Sequence, residues 1–405
     1  MSDPQKLTGQ RILFVDDNSD VLGALKVSLR KMRHEWDMVF VSSGAEALAE
    51  FARSPFDVVI SDMQMPGMDG ARLLSEVRDK YPGAARIILS GHAEPTGLSR
   101  GVPVAHQFMS KPCATGTLRA VIGRAFAQRR LLEDPALRAL LGQIDHLPSA
   151  PAILARLARA IEDPNADVAD IAAIVEQDPA SAAKILQLAN SSYFGAAAEV
   201  NSIAAAIVLL GLQLLRGVVL SAHMFSLGAR VLDSAFLDRM QRGAIASARI
   251  ARRLVGEPKQ AEQAFTAALL HDIGQIILAS GFPERYGIVL PQYSRPAGEF
   301  LALERATVGA THAQLGGYLL GLWGLPVSIV EAVALHEEPA IDTVTNSLLI
   351  GAVHFASRCT DAVQSGAGLE EAALDLAFLE RAGLATLLED WTSIAKEELK
   401  ALSPL

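Results

Sequence analysis

Hydrophobic positions follow one rhythm in the first third of the chain and another in the rest. Up to about residue 130, short β-type runs alternate with stretches in which apolar residues recur at helical spacing. The predicted strands are RILFVDD (11–17), DMVFVSS (37–43), FDVVISD (56–62), RIILSG (86–91) and VAHQFMSKP (104–112), and the predicted helices cover 21–32, 44–54, 70–82 and 115–130. This alternation predicts an α/β doubly wound parallel sheet covered by helices on both faces.

The strand rhythm stops near residue 131, and the remaining chain reads as helices broken by Pro and Gly. We therefore predict a first domain at 9–128, a linker helix at 129–146, an all-α domain at 147–360 and a C-terminal helical extension at 361–405. A connector that includes 124–145 would carry a signal between the domains, although Pro135 interrupts it.

Charge and composition narrow the class of protein. The formal net charge is −9, which argues against a broad nucleic-acid surface, so no DNA partner is expected. The two cysteines, Cys113 and Cys359, form no CxxC motif and are predicted to be reduced thiols. The polar N-terminus predicts no signal peptide, and the most apolar run (203–215) is shorter than the ~20 residues that span a bilayer. We expect a cytoplasmic protein without membrane segments.

Acidic side chains follow two of the buried strands. Asp16 and Asp17 end the first strand and Asp62 ends the third, and such strand ends can be neighbours in a parallel sheet. Three carboxylates in one crevice favour Mg²⁺, which would also neutralise an incoming phosphoryl group. Ser90 ends the fourth strand and Lys111 the fifth, which completes the residue types of a phosphoryl-transfer site.

The motifs DD (16–17), DMQMPGMDG (62–70), SG (90–91) and KP (111–112) resemble the receiver domain of two-component response regulators. The resemblance implies that Asp62 is the phosphoacceptor. It also implies that Asp17 and Asp62 bind Mg²⁺, that Asp16 acts through water, and that the backbone carbonyl of Gln64 completes the site.

The same resemblance assigns the residues that respond to phosphorylation. Ser90 would hydrogen-bond the phosphoryl group, Lys111 would pair with it, and Phe108 would be the switch aromatic that turns inward. The peptide before Pro112 is commonly cis in that family, and the phosphoryl donor is a sensor histidine kinase.

An adjacent His-Asp pair, His271 and Asp272, lies in the apolar run LLHDIGQIIL (269–278). Such a pair could bind a metal or be a polar remnant in a helical core. Together with LPSAPAILARL, VEQDPASAAKILQLANSSYFG and SIAAAIVLLGLQLLRGVVL, it resembles the HDOD domain, a relative of the HD phosphohydrolases. Later histidines at His312 and His336 lie near where one HD subgroup places metal ligands.

Two ligands of the HD pattern are missing. Gly243 stands where the first His is expected and Ser357 where the late Asp is expected, and nearby His354 would point about 60° away on a helix. We therefore predict that His271 and Asp272 are structural, Asp272 capping a helix or accepting an imidazole N–H, and that the HDOD domain needs no cofactor.

The predicted function is a phosphorylation-controlled response regulator whose HDOD domain is a non-catalytic protein-interaction output. The sequence does not name the output partner. The HDOD resemblance links such domains to cyclic-di-GMP signalling, and we expect a homodimer. The alternative is a metal-dependent phosphodiesterase that cleaves a cyclic-di-GMP-like substrate with His271, Asp272, His312 and His336. A further possibility is a scaffold that binds a nucleotide near His312 and Trp323 without cleaving it, although Trp323 also suits the core.

Overall fold

The computed structural model describes residues 10–91, 104–131, 141, 156–157, 159–161, 167–191, 199–212, 215, 234–293, 297–339 and 346–401. The chain divides into two compact units, one built mainly from residues up to 145 and the other mainly from residue 146 onward. Most of the predicted linker helix, and with it Pro135, lies outside the described residues.

The first unit is a five-stranded parallel sheet in the order β2-β1-β3-β4-β5. Its strands are β1 (Gln10–Val15), β2 (Trp36–Val41), β3 (Val58–Asp62), β4 (Ala85–Ser90) and β5 (Gln107–Ser110). Its described helices are α1 (Ser19–Ser28), α2 (Gly44–Arg53), α3 (Gly70–Lys80) and α4 (Thr115–Leu131). The predicted α/β doubly wound fold is confirmed, and β5 is shorter than its predicted run.

Burial along the strands explains why their sequences are continuous apolar runs. Every residue of β3 and β4 is buried, whereas the edge strand β2 is partly exposed in its middle. Central parallel strands carry helices on both faces, so both sets of side chains leave water. The sheet thus brings the carboxyl ends of β1, β3, β4 and β5 to one edge.

The second unit is helical throughout its described residues. Its helices are α5 (Val168–Val175), α6 (Pro179–Ala189), α7 (Ile203–Leu212), α8 (Ser234–Leu254), α9 (Pro258–Leu270), α10 (Ile273–Gly281), α11 (Pro283–Val289), α12 (Ala297–Val308), α13 (His312–Leu322), α14 (Val327–Leu335), α15 (Ser347–Gln364), α16 (Leu376–Arg381) and α17 (Leu388–Ala401). Helix α8 packs along α9 and α15 to form the centre of the unit.

The polar residues at the two ends of the QDPASAAKILQLAN segment form hydrogen bonds at the two ends of α6. Asp178 caps α6 by accepting from the backbone N–H of Ser181, and Pro179 occupies the first helical position. Asn190 ends the helix, donates to the carbonyl oxygen of Val200 at 2.8 Å and accepts from its N–H at 2.9 Å. One amide side chain therefore joins the end of α6 to the backbone of Val200.

The predicted C-terminal extension is continuous with the helical unit. Helix α15 runs to Gln364, so the predicted boundary at residue 360 falls inside a helix. Helix α17 packs against α8 and α15, where Trp391 meets Phe355 with ring centroids 5.4 Å apart and Arg253 pairs with Glu398 at 2.9 Å.

One described segment, Pro258–Gly281, is long and apolar enough to span a membrane by composition. Its most apolar window is 83% buried inside the helical unit, and the segment is divided between α9 and α10. Burial in the core of the helical unit explains why this segment is so apolar.

Candidate functional site

Three carboxylates meet at the edge of the sheet. Asp16 and Asp17 follow β1 and Asp62 ends β3, and each offers a carboxylate oxygen within 4.8 Å of the others. Asp16 and Asp62 are buried, whereas Asp17 is exposed. A set of ligands that are all oxygen atoms suits a hard cation such as Mg²⁺ better than a softer ion.

Lys111 reaches into this group of carboxylates from the end of β5. Its Nζ lies 2.6 Å from Asp16 Oδ2 and 2.6 Å from Asp62 Oδ1. Its backbone N–H donates to the carbonyl oxygen of Ser90 at 2.8 Å, and the bond to Pro112 is cis, as the receiver resemblance implies. The ammonium group is therefore already in contact with the acid expected to receive the phosphoryl group.

The charge state of Asp62 depends on this neighbourhood. Burial raises the pKa of Asp62 above its usual value, Lys111 opposes the shift, and the charge of Asp16 adds to it. A nucleophilic carboxylate must be ionised, so any cation added to the cluster helps it to react.

Gly70 lies in close contact with the end of β3, which its motif alone did not predict. A Cβ on Gly70 would lie 2.0 Å from the carbonyl oxygen of Asp62, and the Gly70 N–H donates to Met63 at 2.9 Å. The start of α3 can approach the end of β3 only without a side chain here. Gln64, whose carbonyl was predicted to complete the site, lies between these two elements with its side chain exposed.

Ser90 and Phe108 lie where a response to phosphorylation is expected. Ser90 ends β4 opposite Ser110 of β5, and Phe108 pairs with Ile88. The Phe108 ring is fully buried, at 0% exposure, so this structure has the aromatic inside. The structure therefore brings Asp62, Ser90 and Lys111 to one edge of the sheet and Phe108 to the strand beside it.

The second group of polar residues is buried in the helical unit. His271 ends α9, Asp272 begins α10, His312 begins α13 and His336 ends α14, so four helix termini converge. Asp272 Oδ1 lies 3.1 Å from His312 Nε2 and 3.8 Å from His336 Nε2, and Asp272 Oδ2 lies 3.5 Å from His271 Nε2. All four candidate HD residues are thus in one cluster.

Asp272 does not act as predicted at its own helix. It makes no side-chain capping hydrogen bond at the start of α10. Its carboxylate faces the three imidazoles instead, in line with the other predicted role of accepting from a histidine ring. Capping was the wrong alternative because the buried imidazoles supply stronger electrostatic partners than the backbone at this helix start.

Two of the histidines have their outer ring nitrogen fixed by backbone. The Nδ1 atoms of His271 and His336 lie 2.6 Å from the Ala268 carbonyl oxygen and 2.8 Å from the Val333 carbonyl oxygen. A ring that donates through Nδ1 leaves the lone pair of Nε2 available to a cation, as in metal-binding histidines. Burial, with neighbouring His271 and His312, lowers the pKa of His336 well below its usual value.

His312 is held between two acids. Glu304, with 0% exposure, approaches its Nδ1 at 2.9 Å and also accepts from the His312 N–H and from the hydroxyl of Tyr286 at 2.7 Å. Burial alone would lower the pKa of His312, but the charge of Glu304 and the hydrogen bond with Asp272 outweigh it and raise the pKa to about 10. The two neighbouring acids therefore favour the imidazolium form of His312.

The positions predicted to have lost HD ligands supply none here. Gly243 lies against the side-chain amide of Gln364, only 2.9 Å from where a Cβ would stand. Ser357 donates its hydroxyl to the carbonyl oxygen of His354 at 3.0 Å. His354 turns away, with Nδ1 near the carbonyl oxygen of His336 and Nε2 accepting from the Asp375 N–H at 2.9 Å.

An arginine stands beside the cluster. Arg358, only 5% exposed, contacts the carboxylate of Glu337 and lies 3.7 Å from Asp361. Glu337 is in turn 3.4 Å from His336 Nε2. Sequence reasoning missed Glu304 and Arg358 because nothing in a helical run marks which charged residue will be buried, and it missed Glu337 because that residue lies just beyond the end of α14.

Comparisons with known proteins match both parts of the chain to known domain families. The sequence matches the response regulator receiver domain over residues 12–123 and the HDOD domain over residues 147–339. The chain is a receiver–HDOD response regulator. Its receiver domain implies control by phosphorylation.

Relatives of this response regulator are similar over part of their length. An uncharacterised protein of Treponema pallidum (strain Nichols) is 28% identical over 221 residues, which is 53% of this chain and 42% of that protein. The hydrogenase transcriptional regulatory protein HoxA of Cupriavidus necator is 33% identical over 33% of this chain and 27% of its own length. The chain thus spans less than half of these relatives.

Among solved structures, the MmoQ response regulator from Methylococcus capsulatus str. Bath is 26% identical, with a TM-score of 0.48. The similarity covers 62% of this chain and 98% of that one.

Proposed function

We propose that phosphorylation of Asp62 controls a binding surface of the HDOD domain, and that this domain binds partners without catalysing a reaction. The observation that carries the non-catalytic part is the buried guanidinium of Arg358 against Glu337. A fixed cation there neutralises a carboxylate that a metal centre would otherwise use.

The phosphoryl step is a displacement at phosphorus. A carboxylate oxygen of Asp62 forms the new P–O bond while the P–N bond of the kinase phosphohistidine breaks, and the imidazole leaves with a proton from solvent. Asp16, Asp17, Asp62 and the Gln64 carbonyl would hold Mg²⁺, which neutralises charge on the transferred group when bound.

Lys111 and Ser90 would both bind the phosphoryl group once it is attached to Asp62. The phosphoryl oxygens offer Lys111 a stronger partner than the Asp16–Asp62 pair that it contacts at 2.6 Å, and Ser90 has a hydroxyl to donate at the neighbouring strand end. Movement of these two side chains changes the packing beside Phe108 and biases the receiver surface between two states.

A direct test uses the full chain. Wild type and Asp62→Asn are incubated with Mg²⁺ and a small phosphoryl donor, and both are then used as bait with the acyl-phosphate analogue beryllofluoride. We expect hydroxylamine-labile acyl phosphate and analogue-dependent capture of partners with wild type alone. Equal capture by both proteins, with and without beryllofluoride, contradicts phosphorylation control.

A second candidate function rests on a different observation. The rings of His271 and His336 present Nε2 to Asp272, and ligand atoms of these three residues lie within 4.8 Å of one another. This donor set suits one divalent transition ion in a phosphodiesterase, although Gly243 and Ser357 contribute no ligand.

Metal analysis separates the two candidates. The non-catalytic proposal expects the purified chain to hold well under one Mn, Fe or Zn ion and to leave cyclic dinucleotides intact. A stoichiometric ion and hydrolysis, both lost in His271→Ala and His336→Ala and retained in the surface variant His34→Ala, would favour the enzyme.

The same proposal covers the partners of the protein, its location in the cell and its oligomeric state. We infer a cytoplasmic regulator that is phosphorylated by a sensor histidine kinase and whose output is a contact with another protein of cyclic-di-GMP signalling. The net charge of −9 supports a protein partner over DNA. A homodimer is a further expectation, and size-exclusion chromatography with light scattering tests it.

A further inference from the structure

Two cavities of the helical unit adjoin each other above the histidine cluster. The inner one, of about 330 Å³, is lined by His312, Gln275, Arg358 and the carboxylates of Glu337, Asp361 and Glu371. The outer one, of about 480 Å³, is lined by Arg242 and Phe236 and by no acidic side chain among the described residues. Three residues line both cavities: Arg239, Tyr293 and Gln364. We call this continuous space the Arg239 cleft.

The mouth of the Arg239 cleft carries unneutralised positive charge. Arg239 and Arg242 lie three positions apart on α8, so both face the same side of the helix. Neither has an ion pair with any acid in the part of the chain that the structure describes. In a chain with a net charge of −9, two free guanidinium groups at one cavity mark a place for an anion.

An aromatic and apolar wall accompanies these cations. The guanidinium carbon of Arg239 lies 4.1 Å from the centroid of the Tyr293 ring, which is itself 41% exposed. Phe236, Leu290 and Pro291 continue the wall of the outer cavity. A stacked guanidinium–aromatic pair beside apolar side chains suits a planar, hydrophobic ligand body.

A buried polar atom at the inner end of the cleft points to the same kind of ligand. Gln275 is 6% exposed, and its Oε1 has no hydrogen-bond partner among the described residues. A buried acceptor without a donor costs about 1–3 kcal/mol in general, so a ligand N–H there would be favoured. An anionic group at the mouth and a donor-bearing ring inside together describe a nucleotide.

We propose that the Arg239 cleft binds a nucleotide, with its phosphate on Arg239 and Arg242 and its base toward Tyr293 and Gln275. The inference deepens the proposed non-catalytic role, on which it rests, because the ligand is held and not cleaved. Occupation of the cleft would then be a second input to the HDOD domain beside phosphorylation at Asp62.

Titration calorimetry with the full chain tests the cleft. The probes are AMP, cyclic di-GMP, adenosine and inorganic phosphate, and the proteins are wild type, Arg239→Ala, Arg242→Ala and Arg285→Ala. Arg285 is exposed on α11 and outside the cleft, so its variant removes an equal charge elsewhere. Circular dichroism at the titration temperature verifies that each variant is folded.

We expect saturable binding of at least one nucleotide by wild type and by Arg285→Ala, weakened at least about tenfold in Arg239→Ala and Arg242→Ala. Adenosine should bind more weakly than AMP, since it lacks the phosphate. Absence of nucleotide binding by wild type, or equal affinity in all four proteins, overturns the assignment. Binding followed by metal-dependent cleavage would leave the cleft in place and overturn only the non-catalytic role.

Discussion

The ammonium nitrogen of Lys111 lies 2.6 Å from Asp62 Oδ1, which joins the ends of β5 and β3. The receiver acid is therefore paired before any phosphoryl group arrives. In the proposed mechanism, phosphorylation of Asp62 would exchange one partner of Lys111 for another, and this exchange would link chemistry at β3 to a change of position at β5.

Replacing Asp62 by Asn should abolish phosphoryl incorporation while the chain stays folded. The amide is similar in shape but is not a nucleophile, and it removes a carboxylate whose pKa burial already raises. Incorporation is followed by phosphate-affinity electrophoresis. The exposed Asp79→Asn variant is the control and should behave as wild type; labelling of Asp62→Asn at the wild-type level would place the acceptor elsewhere.

Gly70→Ala should destabilise the receiver by about 1–3 kcal/mol and slow its phosphorylation. The added methyl would meet the Asp62 carbonyl oxygen at 2.0 Å, so β3 and α3 must separate. Urea unfolding of both variants measures the effect against Gly23→Ala, where nothing lies within 4 Å of the new Cβ. The control should equal or exceed wild-type stability because alanine favours a helix. Equal stability of both variants would contradict the close approach.

Glu304→Gln should lower the stability of the helical unit by about 3–5 kcal/mol. The fully buried carboxylate accepts hydrogen bonds from Tyr286 and from the backbone of His312, whose imidazolium it also faces. An amide leaves that imidazolium short of a counter-charge. Chemical denaturation compares this variant with exposed Glu380→Gln, for which we expect a change within about 0.5 kcal/mol. Similar small changes in both would mean that Glu304 is not part of a charged pair.

His354 should make the helical unit less stable in acid. Burial lowers the pKa of His354, and its Nε2 accepts from the Asp375 N–H, so a proton there would face another donor. The unfolded histidine takes up a proton near pH 6.5 and the folded one does not. Its contribution is fully present above that pH and is lost as the pH falls below it, by up to about 1.4 kcal/mol per pH unit.

Unfolding free energies at pH 8.0 and pH 5.5 measure this dependence. His354→Asn should show a shallower loss between the two pH values than wild type, and exposed His34→Asn should keep the wild-type loss. Parallel losses in all three proteins would show that another group is responsible.

The receiver site was predictable from the sequence because its residues lie at the carboxyl ends of β1, β3, β4 and β5, which are neighbours in the sheet. The parallel sheet alone places Asp16, Asp62, Ser90 and Lys111 at one edge. The close approach of Gly70 to β3 needed coordinates, since a glycine that opens a helix after a turn has several possible reasons.

The helical unit was less predictable for a physical reason. His271, His312 and His336 stood out by residue type, and the structure brings them together around Asp272. Glu304 and Arg358 did not stand out, because the helical period does not tell which polar residue on a mostly apolar helix turns inward. The net charge of the histidine cluster and its surroundings depends on Glu304 and Arg358.

Hydrogen exchange of the full chain with and without beryllofluoride and Mg²⁺ tests most directly whether Asp62 controls the HDOD domain. The account predicts altered protection both within residues 10–131 and within the HDOD residues 147–339, with neither change in Asp62→Asn. A response of wild type confined to residues 10–131 would contradict it.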